Sequence, residues 1–362
     1  MKKTKKVVSP FARLSFVVFI FALLLLFAAD SSYTAADYIN SGICREFRSI
    51  MADFGEIFPF SLFEVLAFCL PVVIFLVFYT GIKRFAYGRS RLRFLINLVA
   101  LVLLIYSGHT IALGIGYKTT PIAEKMHLPD TEVTVGRLSE AMISLRDEVN
   151  SLADSVPRDS RGVFEPEYTY TQVSDRILSS YSVLEEEYDL PRNFKSTVKG
   201  VRAGKLMSYL GITGIYTYIT GEANLNTAYP AYDRIFTAAH EMSHQRGILR
   251  ENEANFIAYL LTSSSDDDNL RYSAALSMYG YISSALYRTS PDAYFAIAEG
   301  LSDLAIKDIR TSNEITKKYA DTVIADISEW VNDLYLESNG TDGVISYSQV
   351  VELTLAYFEM KK

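Results

Sequence analysis

Two histidines and a glutamate near residue 240 have the types and spacing of a catalytic zinc site. His240 and His244 are four positions apart, so on a helix their imidazoles project from one face, one turn apart, and can share one tetrahedral metal ion. Glu241 follows the first histidine, where a carboxylate can take a proton from water and deliver it to a leaving amine. The pattern predicts hydrolysis of a peptide or amide bond, with Zn²⁺ as cofactor and Glu241 as general base.

Such a zinc ion needs a third protein ligand, for which the sequence offers two glutamates. Gly247 can adopt the left-handed backbone conformation that ends a helix and folds the chain back beneath the metal. The next helix begins with acidic residues, so either Glu251 or Glu253 can reach the site. We favour Glu251, because Asn255 shares its helix face one turn later and can orient its carboxylate. Glu253 stays open as the alternative ligand.

The elements around the motif are predicted from local patterns. After Pro230 the chain is helical, with Asp233 as the expected N-cap and Gly247 as the stop. A second helix is expected over residues 250–261. Before the motif, the tyrosines, isoleucines and glycines of residues 206–223 favour strands and turns. We therefore expect a small sheet followed by two helices that carry the zinc ligands.

Substrate-binding residues are predicted on both sides of the motif. Residues 216–224 have the pattern of an edge strand, along which an extended peptide can align by backbone pairing. In that case Glu222 and Asn224 would line the substrate cleft. Tyr335 and Tyr347 are candidates for donating a hydrogen bond to the tetrahedral oxyanion.

Three apolar runs before residue 118 predict membrane-spanning helices, at about residues 14–29, 62–82 and 94–115. The second and third are long enough to cross a hydrocarbon layer of about 30 Å. The first follows a basic tail and is consistent with a cleaved signal peptide or a short anchor, of which we favour the anchor. The lipid bilayer is therefore an expected partner.

Basic residues set the expected orientation. Five of them crowd the link between the second and third runs: Lys83, Arg84, Arg89, Arg91 and Arg93. Because positive loops stay in the cytoplasm, this link and the basic N-terminus are predicted to be cytoplasmic. Residues 30–61 and everything after residue 117 then lie outside the cytoplasm, so we expect a multi-pass protein of a bacterial cell membrane with an extracytoplasmic C-terminal domain.

Charge and cysteine content narrow the function of the C-terminal part. Residues 118–362 contain 23 Lys and Arg against 36 Asp and Glu, a net charge of −13. This acidity disfavours nucleic-acid binding, so the expected partner is a peptide or protein substrate. Cys44 and Cys69 fall in the outer loop and in the second run, which makes a disulfide between them improbable. The sequence does not specify an oligomeric state.

These patterns give the expected fold class and domains. Residues 1–117 form a membrane anchor of three transmembrane helices, and residues 118–362 form an extracytoplasmic α+β domain that is mostly helical. That domain has a small sheet and carries the histidine motif on a helix.

The motif resembles that of known peptidases. His-Glu-x-x-His, the turn glycine and the run Glu-x-Glu-Ala-Asn at 251–255 resemble gluzincins, in which the first glutamate of such a run is the third ligand. The resemblance implies a zincin-like domain and Glu251 as ligand. Metzincins share the turn glycine, but their third histidine would fall at Arg250, which cannot bind a metal.

Nearly the whole chain is also similar to a bacterial family of three-span membrane proteins known as domain of unknown function 3810. The similarity is carried by the zinc motif and by residues 211–216, 220–224, 330–336 and 343–347. It implies a peptidase-like domain outside the membrane and supplies no substrate.

A non-catalytic membrane receptor or scaffold with the same fold is the alternative function. Glu241 disfavours it, because a structural zinc site has four protein ligands and no need of a glutamate beside the first histidine. An intramembrane protease would need the motif inside an apolar span, whereas residues 232–253 contain Asp, Arg, Gln and Glu. Three spans are too few for a transport pore formed by one chain.

Overall fold

The computed structural model describes residues 7–86, 91–320 and 346–362. The N-terminal part of this chain contains five helices: α1 (Pro10–Ala29), α2 (Tyr33–Ile39), α3 (Arg45–Glu56), α4 (Leu62–Ala86) and α5 (Arg91–His109). A π-helical turn, Asn40–Cys44, joins α2 to α3 without a break. Another, Thr110–Gly114, and a short 3₁₀ turn, Gly116–Lys118, extend α5.

The C-terminal part has ten helices and three strands among the described residues. The helices are α6 (Ile122–Lys125), α7 (Val135–Ala153), α8 (Tyr170–Tyr188), α9 (Gly204–Tyr209), α10 (Ala231–Gln245), α11 (Glu251–Ser263), α12 (Asp268–Thr289), α13 (Pro291–Ala298), α14 (Asp303–Ala320) and α15 (Ser346–Met360). The strands are β1 (Lys199–Val201), β2 (Gly214–Thr217) and β3 (Glu222–Asn226). This confirms the expectation of a mostly helical chain with one small sheet.

Among the described residues, three helices are long and apolar enough to cross a membrane: α1, α4 and the continuous stretch Arg91–Lys118. The second begins at Leu62, as the sequence predicts, and all three extend a few residues beyond the predicted runs. Helix α1 packs along α5, where the Ser9 hydroxyl donates to the Asn97 side chain. Farther along, Phe19 contacts Tyr106, and Leu25 and Ala29 share a buried cluster with Ile111 and Ile115, so the two helices run parallel.

The sheet has the strand order β1-β3-β2. The central strand β3 pairs in parallel with β1 and antiparallel with β2, with Tyr216 opposite Ala223 and Ile215 opposite Asn224. Both β1 and β2 are therefore edge strands, and of the predicted edge segment 216–224 the second half belongs to the central strand β3. Sequence periodicity cannot reveal this order, because short strands with similar residues differ only in their long-range partners.

Helix α10 lies at the centre of the C-terminal part, between the sheet on one side and α11 and α12 on the other. It is buried on nearly all sides, which explains why apolar and small residues surround its polar motif. It begins directly after Pro230, so Asp233 lies in its first turn and is not the N-cap that the sequence predicts. The Asp233 carboxylate instead accepts a hydrogen bond from Ser312, and burial raises the pKa of Asp233 to about 6.

Residues 30–61 pack against the C-terminal part of the chain. The Asp37 carboxylate accepts hydrogen bonds from Thr120 and pairs with Lys125 at 3.1 Å. Farther along, the backbone of Met51 approaches Gly221 so closely that any side chain at Gly221 would collide with it. The segment that the sequence assigns to the membrane anchor thus forms one face of the part that carries the histidine motif.

Candidate metal centre

Three side chains from two consecutive helices converge on one point. His240 and His244 lie in the last two turns of α10, with their ring centroids 4.5 Å apart. Glu251 is the first residue of α11, and its carboxylate oxygens lie 3.3 Å from His240 Nε2 and 3.4 Å from His244 Nε2. The ligand atoms of all three lie within 4.8 Å of one another. Of the two glutamates predicted as the third ligand, the fold therefore brings Glu251 to the histidines.

These distances fit a tetrahedral zinc ion. Bonds of about 2.0–2.1 Å at tetrahedral angles separate neighbouring ligand atoms by about 3.3 Å. Two imidazole nitrogens and one carboxylate oxygen are ligands that zinc accepts, and three protein ligands leave a fourth position for water or substrate. The residues present therefore fit a catalytic type of zinc site.

Charge couples the same three side chains in the absence of a metal. Burial lowers the pKa of His244, but the Glu251 carboxylate outweighs this effect and the pKa rises to about 9. Burial raises the pKa of Glu251, and contact with His244 and His240 outweighs it, so the pKa falls well below its ordinary range. A carboxylate already charged at neutral pH is the form that a metal cation requires.

A tight turn joins α10 to α11 and sets the third ligand in place. Gly247 has φ of 95°, which side-chain-bearing residues rarely adopt, and its N–H donates to the His244 carbonyl at 2.9 Å. The Ile248 N–H donates to the Ser243 carbonyl, and the Ile248 carbonyl lies 2.8 Å from His244 Nδ1. This carbonyl acceptor favours the tautomer with hydrogen on Nδ1, which leaves Nε2 free for a metal. Sequence reasoning predicted the turn but not this backbone partner.

A buried arginine from the N-terminal part holds the turn from outside. Arg48 is 0% exposed and donates to the side-chain and backbone oxygens of Asn40, both at 2.9 Å. It also donates to the carbonyls of Ala112 and Arg246 at 3.2 Å. Asn40 in turn donates to the Gly247 carbonyl at 3.1 Å. Arg48 therefore ties the segment after α2, the end of α5 and the turn before Glu251 together.

Replacing Arg48 with methionine is expected to lower the free energy of unfolding by about 3 kcal/mol, since several buried carbonyls lose their donor. Zinc affinity should fall with it, because the turn that places Glu251 loses its support. Thermal unfolding and zinc titration of the detergent-solubilised chain measure both. Arg137→Met is the matched control, because Arg137 forms a surface ion pair with Glu359 worth less than about 1 kcal/mol. Equal stability of the two variants would contradict the role given to Arg48.

Glu241 lies between the histidine pair and the sheet edge. Its side chain is buried next to Gly214 of β2, where an added Cβ would lie 2.7 Å from Glu241 Oε1. Burial raises the pKa of Glu241, while the imidazoles of His240 and His244 and the backbone N–H of Tyr216 act to lower it. A carboxylate whose proton affinity is raised above that of a solvated glutamate is a better proton acceptor.

Gly214→Ala is expected to lower kcat/KM for peptide hydrolysis by about 10²-fold while zinc binding stays unchanged, because displacing a catalytic group by about 1 Å has that effect. Steady-state kinetics and metal analysis of the same preparation test it. Gly136→Ala is the control, since a Cβ there meets nothing within 4 Å. The prediction is wrong if Gly214→Ala and Gly136→Ala hydrolyse peptide equally well.

The alternative ligand, Glu253, points away from the histidines. It is 4% exposed, accepts a hydrogen bond from the Ile122 N–H at 2.9 Å and pairs with Arg250 at 2.9 Å. It therefore fixes the start of α6 against α11. Asn255 is buried one turn after Glu251, but no hydrogen bond joins these two side chains in the described part of the chain. The orienting role predicted for Asn255 is therefore not supported by a hydrogen bond to Glu251.

Glu222 and Asn224 do not line an open cleft, contrary to the sequence-based expectation. Glu222 is 2% exposed, pairs with Lys199 at 2.7 Å and accepts the backbone N–H groups of Leu62 and Phe63, both at 2.9 Å. Asn224 is 0% exposed and accepts the Ser61 hydroxyl at 2.6 Å. Both residues lie on the central strand β3, and their side chains anchor the start of α4. Neither side chain is therefore available to a substrate.

The two candidate oxyanion donors are not positioned by the structure. Tyr335 lies outside the described residues. Tyr347 lies in α15, but its side chain is outside the described part. Their predicted role stays a prediction.

Fold and site together define a mostly helical protein with three apolar helices of membrane-spanning length and a His-His-Glu cluster beside a buried glutamate. The chain belongs to the family described as "Protein of unknown function (DUF3810)", whose model matches residues 38–355. The similarity to this family seen in the sequence is thereby confirmed, and the resemblance to gluzincin peptidases stays a prediction. No curated protein and no solved structure matches the chain.

Proposed function

We propose that this protein is a membrane-anchored zinc metallopeptidase that hydrolyses peptide bonds outside the cytoplasm. The observation that carries the proposal is the convergence of His240, His244 and Glu251 at tetrahedral ligand spacing, with Glu241 buried beside them. A structural metal site would recruit a fourth protein ligand. Within the described residues the cluster has three, which suits a site that keeps one position open.

The chemistry divides between the metal and the chain. Zinc supplies Lewis acidity toward water and toward the scissile carbonyl. Glu241 accepts the proton of the attacking water and returns it to the nitrogen of the leaving amine. Glu251 and the two imidazoles would hold the ion, and the Ile248 carbonyl favours the His244 tautomer that leaves Nε2 to the metal.

Substrate alignment is assigned to β2. It is one of the two edge strands of the sheet, and it lies against α10 with Gly214 and Tyr216 next to Glu241. An extended peptide that pairs with such an edge runs past the base with its backbone in a fixed register. Specificity would then come from side-chain contacts on alternate residues.

The proposed location follows from charge and apolar length. Helices α1, α4 and α5 anchor the chain in a bacterial cell membrane, and the basic N-terminus and the basic link between α4 and α5 stay in the cytoplasm. Residues 30–61 and the C-terminal part pack together, which supports placing both on the same side of the bilayer, with α4 and α5 as the two spans between them.

Metal removal tests the proposal. The purified full chain is expected to contain about one zinc ion and to lose thermal stability on chelation, since a ligand that binds the folded state stabilises it. Hydrolysis of a random peptide library should stop with the chelator and return with added zinc. Peptide cleavage and unfolding temperature that are both unaffected by complete metal removal would contradict the proposed function.

A further inference from the structure

The elements on both sides of β2 are attached to the apolar helices. Before β2, Glu64 in the first turn of α4 accepts the N–H groups of Arg202 and Ala203, at 3.3 Å and 2.7 Å. After β2, the Tyr218 hydroxyl donates to the carbonyl of Ile105 in α5 at 3.0 Å. The end of β2 is thus held by α5, and the segment that leads from β1 through α9 to β2 is held by α4.

The contact with α5 lies well inside its apolar stretch. From Ile105 to Lys118, where that stretch ends, the helix rises about 20 Å at about 1.5 Å per residue. From Gly214, beside Glu241, to Tyr218 an extended chain covers about 13 Å. The base and metal ligands therefore lie within one strand length of a segment expected in or at the bilayer.

Exposed aliphatic side chains flank the same strand. Leu206 and Leu210 precede β2 with 54% and 41% of their surface exposed, and Ile219 follows it with 47% exposed. We call these three residues the apolar rim. The C-terminal part is otherwise strongly acidic, so exposed aliphatic groups on both sides of one strand are costly there unless something apolar covers them.

The position of the apolar rim indicates what covers it. Leu206 and Leu210 follow the two N–H groups held by Glu64 of α4, and Ile219 is next to Tyr218, which is bonded to α5. The rim residues therefore follow or adjoin, in the chain, the contacts with α4 and α5, and both helices have exposed apolar surfaces. In a bilayer, lipid acyl chains would cover those surfaces, and the same layer would reach the rim.

We propose that the substrate is a polypeptide anchored in the same bilayer and cut within a few residues of the outer membrane surface. With the rim in the lipid, β2 lies at that surface, where an anchored chain emerges in extended form. Anchoring also raises the local concentration of the substrate at the site. The reaction is plain hydrolysis: the carbonyl carbon gains the water oxygen, the C–N bond breaks and the amine takes the proton. This inference rests on the proposed function.

Reporters with one transmembrane helix and a randomised outer segment test the substrate class. The full chain and a reporter are placed in zinc-containing vesicles of phosphatidylcholine and phosphatidylglycerol. A randomised segment starting about 6 residues from the bilayer, about 20 Å when extended, should be cut at least about tenfold faster than the same segment as a free peptide. The proposal is overturned if this short-spaced reporter, with its segment close to the bilayer, is not cleaved while the free peptide is cleaved.

The outcomes separate this inference from the proposed function. Cleavage of free and anchored segments at equal rates, abolished by Glu241→Gln, leaves the peptidase standing and rejects the anchored substrate. Cleavage of neither, in the zinc-loaded chain, rejects the peptidase and the inference with it. Cleavage that prefers the short-spaced reporter and needs Glu241 supports both.

Membrane contact of the rim can be measured without activity. In a Cys69→Ala background, single variants Leu210→Cys and Ile219→Cys carry an environment-sensitive fluorophore, and the vesicles contain brominated lipid as quencher. Phe295→Cys is the control, because Phe295 is 60% exposed on α13, which packs on α7 and α12 away from the sheet. We expect quenching at 210 and 219 and little at 295. Equal quenching at all three positions overturns the placement of the rim and with it the proposal.

Discussion

Replacement of Glu241 by glutamine is expected to lower kcat for peptide hydrolysis by about 10²- to 10⁴-fold, the usual effect of losing a general base. Glutamine has the same length, so it fits beside Gly214 and keeps the histidines in place. It cannot accept a proton at neutral pH, and the attacking water then loses its base. Zinc content should stay at the level of the unaltered chain, which separates loss of chemistry from loss of metal.

The matched control for that variant is Asp233→Asn, which makes the corresponding acid-to-amide change at another, partly buried acid of α10. Burial raises the pKa of Asp233 to about 6, so a neutral side chain is tolerated there, and hydrolysis should change by less than about threefold. Single-turnover kinetics and metal analysis measure both variants. If Glu241→Gln binds zinc and cleaves as fast as Asp233→Asn, the assigned base is wrong.

Glu251→Gln is expected to weaken zinc binding by at least about 100-fold, since it removes a charged ligand and loss of an outer hydrogen-bond partner alone weakens metal sites by about 10- to 100-fold. The rate of peptide hydrolysis should fall in proportion to the fraction of chains that hold zinc, and it should recover in part at high zinc concentration. Competition with a fluorescent zinc chelator gives the affinity. This is the decisive comparison between the two glutamates that the sequence leaves open.

Glu253→Gln, two positions later on α11, is the control for that comparison. Its carboxylate holds Arg250 and the Ile122 N–H, so the change should lower the unfolding temperature and leave the zinc affinity of the folded chain nearly unaltered. The reverse result, with weak zinc binding in Glu253→Gln and normal binding in Glu251→Gln, would assign the ligand to Glu253. If both variants bind zinc as tightly as the unaltered chain, neither glutamate is a zinc ligand.

Several features follow from local sequence patterns, because the interactions behind them are local. The four-residue spacing of His240 and His244 places two imidazoles on one helix face in any fold. The three apolar runs give three apolar helices, since each is set by its own length and composition. The turn at Gly247 was also predictable, because a single glycine after a helix permits the backbone conformation that ends it.

Other sequence-based expectations failed or stayed open because they depend on contacts between distant residues. Glu222 and Asn224 have the types expected of a cleft, yet the central place of β3 in the sheet buries both against the start of α4. Whether Glu251 or Glu253 faces the histidines depends on the angle between α10 and α11, which the turn and its support by Arg48 set.

The sequence by itself determined that two imidazoles and a glutamate share a helix and that three apolar helices precede it. Tertiary structure alone decided which carboxylate joins them, which strand lies beside the base and which partners hold the site. Arg48 and the Ile248 carbonyl illustrate the difference: one is about 200 positions from the turn it supports, and the other is a backbone group that every residue carries. Their roles arise only when folding brings them to His244 and Gly247, because packing selects partners that no local pattern encodes.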